Sequence, residues 1–228
     1  MQYDKVYEAL AALYLRLSGY FVTGLILHSE RRGENKGEID WLAVRHPFHA
    51  QEARGVAMPE FLGLKHGLTD IILCEVKSSN RGFNKSTRKP ESVEDVLHWA
   101  GVFSDDQIGT VGRQFLPLLE DDAGYDIVRE GVTEANVRLR PLLCCPSLSA
   151  DDTKRWCLTG DEIMRFLDEC LDPAKAPLTC RRKYGYELWG QSFEDVVRWV
   201  KERKKDTTPT VEELLNHLAN LEKSRRSR

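Results

Sequence analysis

The chain has 228 residues, 41% of them hydrophobic and 30% charged, with a net charge of −3. That length suits one domain of ordinary size plus an appendage, and the apolar share is that of a chain able to bury a core. The charge balance excludes a protein that coats nucleic acid through bulk charge. No apolar run approaches the roughly 20 residues a membrane-spanning helix needs, and Met1-Gln2-Tyr3-Asp4 lacks the order of a signal peptide, so a cytoplasmic protein without a membrane partner is expected.

In chain order, Tyr3, Val6, Tyr7, Leu10, Tyr14 and Leu17 repeat at helical spacing and predict a helix over 4–18, stopped by Gly19. Glu8 lies beside this stripe, with Ala11, Ala12 and Leu15 following it. Residues 20–28, rich in aromatic and β-branched side chains, read as a strand, 30–37 as a charged turn and 38–44 as a second strand. A long segment with Pro47, Gly55, Pro59, Gly63 and Gly67 precedes a third strand over 69–77. Helices are expected over 92–103 and 105–119, strands over 136–145 and 155–158, and a helix over 161–170. Residues 172–190, with Pro173, Pro177, Gly185 and Gly190, read as a linker or arm between a core of 1–171 and a helical pair in 191–228. Cys74, Cys144, Cys145, Cys157, Cys170 and Cys180 show no zinc-ligand spacing and are expected as buried free thiols.

The chemistry concentrates on the second and third strands. Side chains alternate faces with period two, so Glu38 and Asp40 share a face of one strand, and Glu75 and Lys77 share a face of the other. Pairing these strands is expected to gather three carboxylates and an ammonium. Carboxylates at that density call for a hard cation, Mg²⁺ or Mn²⁺, and the lysine would set a positive charge on an attacking water or a developing phosphate charge. From Ser78 to Pro90 the chain carries Arg81, Lys85, Arg88 and Lys89 with no acid, an expected nucleic-acid contact, with Phe83 available to stack on a base. The plainer readings are a solvated loop and acids on the wet side of a strand.

Gly37-Glu38-Ile39-Asp40, a long gap, and Glu75-Val76-Lys77 at the end of an apolar strand resemble the signature of the PD-(D/E)XK nuclease superfamily, in its resolvase-like and Mrr-like branches. The resemblance covers 1 to about 120 and implies an α/β, restriction-endonuclease-like αβββαβ core, a mixed central sheet flanked by helices, with the C-terminal helices as an appendage. It implies Asp40, Glu75 and the Val76 carbonyl as metal ligands, Lys77 as the residue that positions the water, and Glu38 and Glu8 as accessory acids. It implies a Mg²⁺-dependent endonuclease or other nuclease, a hydrolase that acts on DNA in preference to RNA and leaves a 5′-phosphate, with a protein partner or a homodimer possible. Some branches carry a functional glutamine on a later helix, the place of Gln114. The gap from Asp40 to Glu75 is longer than the usual pattern and leaves the strand register open. The alternatives are a non-catalytic nucleic-acid-binding or assembly subunit and an RNA nuclease.

Overall fold

The computed structural model describes residues 3–28, 35–49, 57–79, 82–175, 186–203 and 207–226. It opens with helix α1 (Tyr3–Leu17) and strands β1 (Phe21–His28), β2 (Asn35–Arg45) and β3 (Thr69–Val76), the order expected. α1 ends as Gly19 takes a φ of +91°, and the missing Cβ leaves room for the His49 ring, which any side chain would strike. Leu10, Leu13, Tyr14 and Leu15 are fully buried, so α1 is enclosed well beyond a single stripe.

Beyond β3 come α2 (Pro90–Ala100), α3 (Asp105–Phe115), α4 (Tyr125–Glu130), β4 (Val132–Glu134), β5 (Val137–Cys145), β6 (Cys157–Thr159), α5 (Gly160–Leu171), α6 (Glu194–Glu202) and α7 (Val211–Arg226). The product is an α/β protein with a mixed six-stranded sheet flanked by helices. β1, β2 and β3 run antiparallel in sequence order, whereas β3 pairs with β5 in parallel. The outer edge of β5 is shared: β4 runs antiparallel to its first residues and β6 parallel to its last. Strand alternation sorts the core into two layers. Ile72 and Cys74 pack with α1 and α5, while Ile71 and Leu73 pack with α2 and α3. Val196, Val197 and Val200 of α6 and Leu214 of α7 belong to the α1 layer, so the C-terminal helices pack onto the core.

The long segment between β2 and β3 is pinned to the sheet by its carbonyls. Arg140 donates to Leu62 O at 2.6 Å, Arg138 to Gly63 O at 3.0 Å, and Arg129 and the Trp156 indole both donate to Phe61 O. With the segment held there, β2 and β3 pair in unbroken register from Arg45↔Asp70 to Trp41↔Cys74. The predicted helix over 105–119 is shorter than expected. It ends at Phe115 and tightens into a 3-10 turn over Leu116–Leu119, since Pro117 has no amide to continue the helical ladder. Of the expected linker, residues 176–185 lie outside the described residues, and Tyr186–Trp189 forms a 3-10 turn.

Candidate functional site

Where β2 and β3 separate, the backbone ladder gives way to side chains. The last paired residues are Trp41 and Cys74; beyond them the Asp40 carboxylate (Oδ2) accepts the amide of Val76 at 2.7 Å. A bulge in β2 lies at the same point. Between the pairs Thr23↔Leu42 and Leu25↔Ile39, Gly24 faces two residues, Asp40 and Trp41. Such a bulge re-aims the side chains it carries. Ile39 and Leu42 both belong to the α2/α3 layer, so Asp40 and Trp41 stand together on the α1 side. There the Trp41 indole donates to the Glu8 carbonyl at 3.0 Å, which ties α1 to the fork.

Glu75 lies on the other face. Its side chain is 1% exposed, and both oxygens are occupied: Oε1 accepts the Lys77 ammonium at 3.0 Å and Oε2 accepts the backbone amide of Asn84 at 2.9 Å. Lys77 also donates to Oδ1 of Asn84 at 2.8 Å. Two cavities meet at Lys77. One of about 210 Å³ is lined by Asp4, Tyr7, Glu8, Val76, Lys77 and Ser78. The other, about 430 Å³, is lined by residues that include Lys77, Ser79, Asn84, Lys85 and Arg88.

Asp40, Glu75 and Glu8 hold their protons more tightly than free carboxylates do. Burial raises Asp40, and Glu38 adds to it, against the Val76 amide and Lys77. Glu75 is raised by burial, and by the charge of Asp40, against the Asn84 amide and Lys77. Glu8 is raised by burial and then by Asp40, Glu38 and Asp4, with Lys5 opposing. Burial is the largest cause for each, with neighbouring carboxylates adding to it, and buried acids perturbed in this way are candidates for a functional site.

The expected carboxylates thus share one electrostatic neighbourhood, although the expected gathering of three at one spot is not found. Among the described residues no three His, Cys, Asp or Glu side chains lie close enough to hold a metal ion together. Alternation is the reason, because Asp40 and Glu38 leave β2 on the α1 side and Glu75 leaves β3 on the α2/α3 side. Glu38 is exposed at the edge of the group. Val76 meets Asp40 through its amide.

The basic segment also departs from expectation. Phe83 is 8% exposed in the α2/α3 core, so it anchors the loop and is not free to stack on a base. Arg88 pairs with Glu120 and Asp121, and Arg155 shares Asp121. Lys85 and Lys89 are exposed and have no ion-pair partner among the described residues. Arg81 lies outside the described residues. Gln114 is exposed on α3, with no hydrogen bond to the fork. The reading from sequence missed Asn84, whose only signal was a turn-forming residue in the loop after Lys77. Cys74, Cys144, Cys145, Cys157 and Cys170 are buried free thiols; Cys180 lies outside the described residues. Among the described residues no helix is long and apolar enough to cross a membrane. No protein-family model, curated protein or solved structure matches the chain.

Proposed function

We propose that the chain is a metal-dependent nuclease of the PD-(D/E)XK class, with a restriction-endonuclease-like core, that hydrolyses phosphodiester bonds in DNA in preference to RNA. The observation that carries this reading is the fork, where Asp40 and the Glu75/Lys77 pair meet across the Val76 amide at the open end of two antiparallel strands.

The donor set fits a hard dication. Mg²⁺ is commonly held through one or two carboxylates together with water and substrate phosphates, so a pair of acids suffices where a triad is absent. Asp40 would hold it from the α1 side, and Glu75, which leaves β3 on the other face with both oxygens engaged, would join only on giving up its contact with Lys77 or the Asn84 amide; burial opposes the charged form of both acids, and a cation would favour it. Bound there, the cation would polarise a phosphoryl oxygen and acidify a water. Lys77, held by Glu75 and Asn84, would have its remaining N–H available to such a water or to a non-bridging phosphate oxygen. The exposed Lys85 and Lys89 would contact flanking phosphates, a sequence-independent attraction.

A second reading, a nucleic-acid-binding or assembly subunit without turnover, is favoured by one observation: both Glu75 oxygens already accept hydrogen bonds within the chain. The two readings separate when purified protein is incubated with Mg²⁺ or Mn²⁺ and single-stranded, duplex and branched DNA and RNA, beside Glu75→Gln and Lys77→Met. The nuclease reading expects metal-dependent cleavage that falls by about 10²-fold or more in each variant. Binding with no cleavage on any substrate selects the second reading. Neither binding nor cleavage rejects both.

A further inference from the structure

We infer that Asn84 is a positioning residue of this site, one that locks the Lys77 ammonium against Glu75 by offering a different atom to each. The inference rests on the nuclease reading for its catalytic meaning, but its geometry stands alone. The backbone amide of Asn84 donates to Oε2 of Glu75 at 2.9 Å, and its side-chain Oδ1 accepts from Lys77 at 2.8 Å. The orientation of the Asn84 amide group is fixed by chemistry, since a lysine ammonium has no acceptor and only the oxygen can face it.

The loop is built to hold this residue still. Phe83, immediately before it, is buried in the α2/α3 core, and the Phe83 carbonyl accepts Nε of Arg88 at 3.1 Å. The carbonyl of Asn84 accepts the amides of Thr87 at 3.1 Å and Arg88 at 3.3 Å, which closes a turn. Backbone N–H, backbone C=O and side-chain Oδ1 are therefore all engaged.

A neutral acceptor suits the position. An ammonium has three N–H donors. Glu75 and Asn84 take one each, which stops rotation about the terminal bond and leaves a single donor in a defined direction for a water or phosphate oxygen. A second carboxylate at this place would offset more of the lysine charge and set another acid beside Glu75; an apolar residue would leave Lys77 tethered by Glu75 alone.

The test compares wild type, Asn84→Ala and Asn84→Asp, with circular dichroism melts to establish that each folds. Asn84→Ala keeps the backbone amide that binds Glu75, so it removes only the contact with Lys77. A brief pulse of acetic anhydride on metal-free protein, followed by peptide mass spectrometry, reads the acylation of Lys77 against the exposed Lys85 and Lys89 as internal references. In Asn84→Ala the Lys77 ratio is expected to rise about tenfold, the order expected for loss of one hydrogen bond to a charged group. Asn84→Asp, which retains an acceptor and adds a negative charge that favours the ammonium, is expected at or below the wild-type ratio. In cleavage assays Asn84→Ala is expected to lower kcat about tenfold with KM unchanged. An unchanged Lys77 ratio in Asn84→Ala, an Asn84→Asp ratio equal to that of Asn84→Ala, or a rise in KM with kcat intact would overturn the inference. Wild-type protein that cleaves no substrate would reject the nuclease reading, while the acylation ratios would still decide whether Asn84 holds Lys77.

Discussion

Asp70 near the start of β3 and Glu75 near its end are both buried, yet their surroundings treat the charge in opposite ways. Asp70 is enclosed by cations and donors. Arg138 and Arg140 each donate Nε to Oδ1 at 3.0 Å, a second Arg140 nitrogen bonds Oδ2, and the Tyr20 hydroxyl donates at 2.5 Å. Although burial opposes it, these partners, Arg140 first, hold the Asp70 carboxyl below its ordinary range. Arg140 also lies 4.8 Å over the Trp156 ring. Glu75 has one largely covered lysine and one amide, and burial leaves it above the ordinary range. An acid compensated by two guanidiniums is part of the scaffold, and one with too little compensation is a place where a further positive charge is favoured.

The largest expected effect lies at the scaffold end. Asp70→Ala leaves two guanidiniums buried beside each other, and loss of one partner from a buried ion cluster costs about 3–5 kcal/mol. Urea denaturation should register that loss, and a cost below about 1 kcal/mol would remove the distinction between the two ends. The pH dependence has a definite sign: a lowered folded value gives Asp70 a contribution present above the ordinary aspartate value and lost as pH falls through the folded one.

Glu75→Gln should act in the opposite sense. A raised folded value means the wild type is most favoured, as far as this group is concerned, below the ordinary glutamate value and loses that advantage as pH rises through the folded one. Glutamine cannot ionise. The melting temperature of Glu75→Gln relative to wild type should therefore climb between about pH 4 and pH 7. A difference that stays flat or falls over that range would mean that Lys77 and Asn84 compensate Glu75 fully.

The same two ends show what a sequence discloses. The α1 period, the alternation in β2 and β3 and the Glu-Val-Lys at the end of an apolar run all depend on local order, and each was legible. Arg138 and Arg140 were not, because β5 buries all nine of its residues and nothing in a strand's own pattern says that an arginine will find an aspartate on its parallel neighbour. α4 and β4 are too short, at six and three residues, to display a period. At the fork, the acids and Lys77 were legible as residue types; their placement was not. Whether Asp40 and Glu75 leave the sheet on the same side depends on the bulge opposite Gly24 and on the pairing beyond it. Phe83 shows a related limit: in a polar loop an aromatic residue reads as exposed, whereas here the loop folds it into the core.

The most direct measurement is Mn²⁺ binding to wild-type protein and to Asp40→Asn by titration calorimetry, repeated in buffers of different ionisation enthalpy. Raised carboxylates predict binding by wild type with a proton release that grows as the assay pH is lowered toward the carboxylate range, and loss of that binding in Asp40→Asn. A wild-type chain that binds no Mn²⁺, or that binds it no better than Asp40→Asn does, would contradict the account.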